Sequence, residues 1–548
     1  GVFLNSTGDG TLTVTDLHST GSGHIELYSN SDTTLTSLVV ANGSVTVDAA
    51  GALTATAVSS TTDSDVNDIS LTGSSLAIGI VNAGSFGDAT LDAEAGAITQ
   101  TGTLTANDLV ADAAGAITLV TDVDAANVST SESGAITITQ TGAIDLADVD
   151  TYNGSITVIA TGGAITATDV VSLSDSDSND VSISGVGIVA HKINAGLSGD
   201  VTLNAGTGSI TQDGTDDKND VSADVLTADA TTGINLDVTA NSADLTVSGS
   251  GDIVVDEFNG ITLTSVDTND GSIDIDATSL ITATSVIAGG AAGDSVDLTT
   301  SSGGIEASLV QAADAVSMTA GTGDINIGSI TATAGTIQVL STLGSINDLN
   351  DDDLADFTAG GTITLTALSN IGLRSSGTDL DIEFAASSVV DVSSTASGLI
   401  DLHGLGDITL ANIDTANGSI TVDAGGVITA TNVVSTVSLE ANDITLNGTS
   451  IALGTINAGI LSADVFINSS GGAITDSDAD AGGTDTTVNI TADSLTITGN
   501  QAVTSIETNI GTLALTTGAT SITETNGVNI EASTISDNFI LTASGAVT

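Results

Sequence analysis

The 548-residue chain contains no cysteine, no proline and no tryptophan, one methionine, and nine aromatic residues, seven Phe and two Tyr. Without cysteine there is no disulfide framework and no thiolate chemistry, and the redox compartment is left open. At ordinary usage a chain this long would carry roughly 27 prolines. Their exclusion everywhere, loops included, is what a continuous ladder of paired strands imposes, because proline cannot donate the ladder hydrogen bond. Basic residues are nearly missing too: Lys192, Lys218 and Arg374 face 69 acids, for a net charge of −66. Such a surface is a poor partner for nucleic acid or anionic membranes. No stretch approaches 18 uninterrupted apolar residues, so no membrane-spanning helix is expected. No N-terminal signal is visible; the chain opens at Gly1 within repeat-like sequence, as expected of a trimmed leader or of a segment of something longer.

What is present is aliphatic and acidic. Hydrophobic residues make up 40% of the chain, mostly Val, Ile, Leu and Ala, enough to argue against disorder despite the charge. The core is expected to consist of thin aliphatic layers without large aromatic plugs. Of the acids, 59 are Asp and ten are Glu. Asp is a turn residue and a short ligand for hard cations, whereas a merely soluble surface could use Glu equally.

Residues 153–171 read NGSITVIATGGAITATDVV, 417–434 read NGSITVDAGGVITATNVV, and 42–58 read NGSVTVDAAGALTATAV. Within one copy, Ile156, Val158 and Ala160 alternate with Thr157 and Ile159, Gly162 and Gly163 turn the chain, and Ile165 and Ala167 alternate with Thr166 and Thr168. This is strand, glycine corner, strand. The grammar recurs as GDATLDAEAGAITQTG (87–102), GDVTLNAGTGSITQDG (199–214), GSIDIDATSLITATSV (271–286) and GDITLANIDTANGSITV (406–422), and helical periodicity is nearly absent. Openings at Gly43, Asn67, Gly87, Asn107, Glu132, Gly154, Asn179 and Gly199 lie about 20 to 25 residues apart. That is the period of one rung of a parallel β-solenoid. A β-sandwich would usually show hairpin signals and aromatic core anchors, which are missing.

A longer repeat overlies the rungs. The block at 42–102 realigns with 153–214 after about 111 residues, matching NDISLTG with NDVSISG and GIVNAG with HKINAG; it returns at 417–475 with NDITLNG and GTINAG, and a weaker echo begins at Asp270. The expectation is an all-β, single continuous solenoid over 1–548. With about 22 to 25 rungs at roughly 4.8 Å, the rod would be on the order of 110–120 Å long. Its net charge would then approach one per about 1.7–1.8 Å, close to duplex DNA.

The G-[DS]-I-x-L-x-A-x-x-G-x-I pattern resembles the repeats of filamentous-haemagglutinin-type adhesins and related giant bacterial surface proteins over nearly the whole chain. The resemblance implies a right-handed parallel β-helix, exported and displayed outside the cell. The family's secretion domain carries Asn-Pro motifs, which a chain without proline cannot contain.

Acidic constellations are the strongest candidates for chemistry. Asp63, Asp65, Asn67 and Asp68 recur about 112 residues later as Asp175, Asp177, Asn179 and Asp180. Alternating Asp on an extended loop can direct carboxylates at one hard cation such as calcium, with Asn and backbone oxygens completing the shell. The spacing matches part of an EF-hand loop without its Gly and terminal Glu, and the third block retains only Glu440, Asn442 and Asp443 in a shortened loop. The competing reading is a solvated loop. Other acidic patches are Asp213, Asp216, Asp217 and Asp220; Asp348, Asp351, Asp352 and Asp353; and Asp476, Asp478, Asp480 and Asp485.

His18, His24, His191 and His403 fit no zinc or triad spacing, and no catalytic residue is assigned. A polysaccharide-active β-helix would need aromatic platforms or cationic clefts, which this composition barely supplies. Thr-x-Thr steps such as TLTVT (11–15) raise ice binding, but their spacing predicts no continuous register. Sequons at Asn5, Asn42, Asn127, Asn153, Asn417, Asn447, Asn468 and Asn489 double as corner turns. The expected function is a non-enzymatic extracellular fibre, adhesin stalk or filament subunit. It would self-assemble head-to-tail, because solenoid ends lacking polar caps expose strand edges. A ligand-binding, polysaccharide-active or ice-binding β-helix is the alternative.

Overall fold

A computed structural model describes residues 1–548 except 213, 215–218, 291, 351–353, 376–377, 381, 438, 440 and 478–486, together with the backbone alone of 373–375 and 378–380. The described residues contain no helix, and their parallel strands stack as a β-solenoid of about 26 turns in all. That slightly exceeds the expected 22 to 25 rungs, because some coils are short. Leu109 pairs with Ala126 and Val221 with Val238, each only 17 residues on. The chain divides into two compact units, Gly1–Asp270 and Gly271–Thr548.

In the first unit a full coil lays down three strands, as in Ile156–Ala160, Ile165–Ala167 and Val170–Ser172. Each strand hydrogen-bonds to its counterpart in the next coil, so like residues lie over like. Ile156 is followed by Val181, Val201 and Leu226 on the first face. Ile165 is followed by Ile188, Ile210, Ile234 and Ile253 on the second, and Val170 by Ile193 and Val221 on the third. All of these side chains are buried. Burial of a full Val, Leu or Ile contributes about 1.5–3 kcal/mol; one or two such residues per strand per coil, as Ile156 with Val158, supply a core without wide layers.

The second unit follows the same plan. Ile281, Ile305, Ile325 and Ile346 form one buried column. Contrary to the expectation of a purely aliphatic core, this unit does contain an aromatic plug. Phe357 and Phe384 are fully buried, stacked with centroids 5.7 Å apart and planes at 21°. They pair across neighbouring coils, and Phe384 pairs in turn with Gly404 in the coil beyond. An antiparallel pair, Leu373–Ser375 with Thr378–Leu380, interrupts the otherwise parallel pattern among the described strands.

The duplicated blocks do not occupy matching faces. From Val45 the third face runs through Ile69, Ala89, Leu109, Ala126 and, one residue pair along, Val149 and Val170. Ile156, the counterpart of Val45 in the second block, lies instead on the first face, reached from Leu53 through Leu76, Ile98, Ile117 and Ile136. The 111-residue block is five coils and one corner long.

The threonine steps also differ from expectation. On the first face Thr13, Thr34, Thr54, Ala77, Thr99, Thr118, Thr137, Thr157, Ser182, Thr202 and Thr227 form one continuous outward column. Uneven loop lengths hide this register in the sequence; the strand pairing restores it.

Candidate functional site

The repeated acidic loops leave the coil between two strands, where unpaired backbone groups accumulate. Asn67 turns inward and is fully buried. Its carboxamide oxygen accepts the N–H of Gly43 at 2.8 Å and its nitrogen donates to the Thr62 carbonyl. Asn179, 1% exposed, donates to the Asn153 side-chain oxygen at 3.0 Å and to the Ser174 carbonyl at 2.6 Å. Asn442 repeats the arrangement in the third block, donating to Asn417 at 2.9 Å and to the Val437 carbonyl. The feature common to all three loops is therefore a buried amide that closes the corner.

The carboxylates around it point elsewhere. Asp63 accepts from the Ser85 hydroxyl at 2.6 Å and from the Phe86 N–H at 3.1 Å, capping the turn of the next coil. Asp175 accepts the Ser198 N–H at 2.8 Å. Beneath them, Gly84 (φ +85°) and Gly196 (φ +81°) sit in the left-handed region, and a Cβ on either would lie 2.5 Å from the Asp63 or Asp175 oxygen. The N-A-G words of the repeat are these turns: Asn82, Asn194 and Asn457 accept the N–H of Gly84, Gly196 and Gly459. Asp68 and Asp180 accept the N–H of Asp88 and Asp200, each at 3.1 Å and 20 residues on. Asp65 and Asp177 are exposed.

Thus the eight residues expected to ligate a cation are brought to two corners, but the amide faces inward and Asp63, Asp68, Asp175 and Asp180 serve backbone or hydroxyl donors. Among the described residues no group of three His, Asp or Glu side chains is gathered so as to hold a metal ion. Of the other acidic patches, Asp213, Asp216, Asp217, Asp351, Asp352, Asp353, Asp478, Asp480 and Asp485 lie outside the described residues, as does Glu440.

The same geometry accounts for the excess of Asp. Asp88 accepts the Asp108 N–H, Asp32 that of Ala52, Asp324 that of Ser345 and Asp407 that of Val427, at 2.7–3.2 Å and 20 or 21 residues on. One methylene sets the carboxylate at the height of the next coil's amide, a reach that Glu exceeds.

Longer side chains perform an inward version. Gln140, 1% exposed, bonds Thr121, Val123 and Ala143. Glu524, equally buried, accepts from the Thr508 hydroxyl at 2.6 Å and the Asn526 N–H at 3.0 Å. Glu257, 3% exposed, accepts the N–H of Ala240 at 3.1 Å and of Asn259 at 2.9 Å. Burial pushes its carboxyl up to about 7, against the pull of the two N–H donors. These caps were missed in the sequence; the E-x-N words at 257–259 and 524–526 are the signal that could have found two of them.

Electrostatics differ between faces. On the third face the outward column reads Tyr28, Asp48, Thr72, Asp92, Asp112, Ser129 and Asp150. Desolvation first, then repulsion from Asp112 and Asp48, raises the Asp92 pKa; desolvation followed by Asp148, Asp112 and Asp169 raises that of Asp150. The histidines are dispersed: His18 contacts Asp16 at 2.6 Å, His24 bonds Ser44, and His403 borders a shallow polar groove with Asp423, Asn447 and Asn468. Several sequons are structural: Asn489 is fully buried, and Asn153 and Asn417 accept the corner amides. The architecture is that of a β-helix repeat protein; no family model, curated protein or solved structure matches the chain.

Proposed function

We propose that this chain is a structural, non-enzymatic β-solenoid of the extracellular surface: a fibre, adhesin stalk or filament subunit of the filamentous-haemagglutinin-like type. The observation that carries the reading is the use made of the polar residues. Asn67, Asn179, Asp68, Asp180 and Gln140 are used to join one coil to the next. Assembly fits the same picture. Val2–Ser6 pairs with Ile25–Ser29 and Phe539–Ala543 with Thr520–Glu524, leaving each an open second edge among the described strands. A further coil, from a second copy or from more of the same chain, would extend either ladder. Acidic faces oppose lateral clumping, and calcium or another divalent cation would act as counterion along them.

Electron microscopy of the purified chain, with light scattering as a function of concentration and calcium, tests this reading. Rods that lengthen in steps of one subunit are the expected result. Monodisperse particles at every concentration, with or without calcium, would remove the filament reading. A polysaccharide-active or ligand-binding β-helix is favoured by no specific observation; glycan binding by the purified chain would revive it.

A further inference from the structure

The first face of the unit Gly1–Asp270 carries a continuous column of hydroxyl side chains. Its outward column has hydroxyl residues at ten of eleven consecutive coils, nine Thr and Ser182, with Ala77 the exception. The pairing runs through all ten steps without a bulge, whereas the neighbouring third face is bulged at Ala126/Asn127. Two residues on in sequence the positions read Thr15, Thr36, Thr56, Gly79, Thr101, Val120, Thr139, Ile159, Ser184, Asn204 and Asp229, and those from Val120 to Asp229 are paired coil to coil. Five of the eleven coils carry the full Thr-x-Thr step, at 13/15, 34/36, 54/56, 99/101 and 137/139.

A second, independent observation is where the charge goes. In a protein of 69 acids, these twenty-two positions hold one, Asp229 in the last coil, and Asp244 follows in the next. The third face of the same coils has four Asp in seven positions. Acids are concentrated on the third face of these coils, and the second-face column Thr166, Val189, Thr211, Asn235 and Val254 is likewise without them. The hydroxyls are also free. Of the ten in the first column, only Thr99 donates to a described protein atom, the Leu76 carbonyl at 3.3 Å.

We infer that this face binds crystalline water. Hydroxyls recur at about 4.8 Å from coil to coil and at roughly 6.7 Å within each Thr-x-Thr step. Each β-branched Thr is restricted at χ1, so the array presents oxygens and methyls at repeats set by the backbone. Ice is a lattice of hydrogen-bonded water oxygens with repeats of this kind in two directions. A rigid array of hydroxyl anchors separated by methyls can hold water in that pattern, whereas a carboxylate would impose its own hydration shell. Ala77 and Gly79 leave a dent lined by Thr54, Thr56, Thr99 and Thr101. Gly79 cannot be filled, since its Cβ would lie 2.2 Å from the Thr56 carbonyl oxygen; Ala77 is exposed and can.

The test is thermal hysteresis and ice-crystal shaping by the purified chain, with incorporation of labelled protein into a single growing ice crystal. The wild type should shape ice and enter the crystal. Thr118→Asp with Thr137→Asp should abolish both, Ala77→Thr should strengthen them, and Ser70→Asp with Thr72→Asp on the third face should leave them unchanged. Thermal melts and circular dichroism establish that each variant is folded; Thr118→Val, which preserves shape, replaces the Asp variant if that fails to fold. Absence of ice shaping by the wild type overturns the inference, and so does full activity in a folded Thr118 and Thr137 variant.

Discussion

The side-chain oxygen of Asn67 accepts the backbone N–H of Gly43 from the preceding coil at 2.8 Å, with the amide fully buried. A residue whose type and spacing suggest a cation ligand is thus an internal brace between coils.

Replacing that brace leaves the Gly43 N–H unsatisfied in the interior. Asn67→Ala and Asn179→Ala should each destabilise their corner by about 1–3 kcal/mol, whereas Asp65→Ala and Asp177→Ala should stay within about 0.5 kcal/mol. Solenoids need not unfold in two states, so the informative measurement is hydrogen exchange at Gly43 and its neighbours. Unchanged protection there in Asn67→Ala would refute the bracing role.

Calcium should act on the whole acidic surface rather than at the loops. The melting midpoint is expected to rise with calcium at fixed ionic strength, and to rise equally in a variant carrying Asp65→Asn and Asp177→Asn. A rise lost in that variant would instead locate a bound cation at residues 63–68 and 175–180.

Stability should fall as pH rises through neutrality. Glu257 is raised from 4.5 to about 7 by burial, so the folded state binds its proton more tightly than the unfolded state does. Its stabilising contribution is fully present below about 4.5 and is lost as pH passes about 7, with a ceiling on the order of 3 kcal/mol. Asp92, Asp108 and Asp150, raised first by desolvation and then by neighbouring carboxylates, act in the same direction, as does Asp200, raised by desolvation against the pull of the Val225 N–H. Glu257→Gln should flatten the decline in melting midpoint between pH 5 and pH 8; an identical slope in the variant would rule out this assignment.

Two corner glycines of successive coils, Gly142 and Gly163, should respond oppositely to a methyl group. A Cβ on Gly163 would lie 2.1 Å from the Ala143 nitrogen and 2.3 Å from the Gly142 carbonyl carbon, backbone atoms that no rotamer change can move. Gly163→Ala should cost about 1–3 kcal/mol or more. Gly142 has nothing within 4 Å of its Cβ position, so Gly142→Ala should be neutral, or stabilising by under about 1 kcal/mol through the unfolded state. Comparison of the two melting midpoints decides it.

The sequence by itself determined the stacked parallel strands. The missing proline, the alternation of Ile156, Val158 and Ala160, and corner words every twenty-odd residues leave few other ways to pair the backbone and bury one side of each strand. Alternation says which side chains face inward, because its period of two is local. It cannot say on which face of the coil a strand lies, since that depends on every loop length between one coil and the next. Coils of 17 residues at Leu109–Ala126 and of 24 at Val45–Ile69 shift that sum. Only the tertiary structure therefore placed Thr157 in an uncharged threonine column and its sequence counterpart Thr46 on the acidic face. It also turned Asn67 inward, because the burial of a loop amide is decided by the coil beneath it.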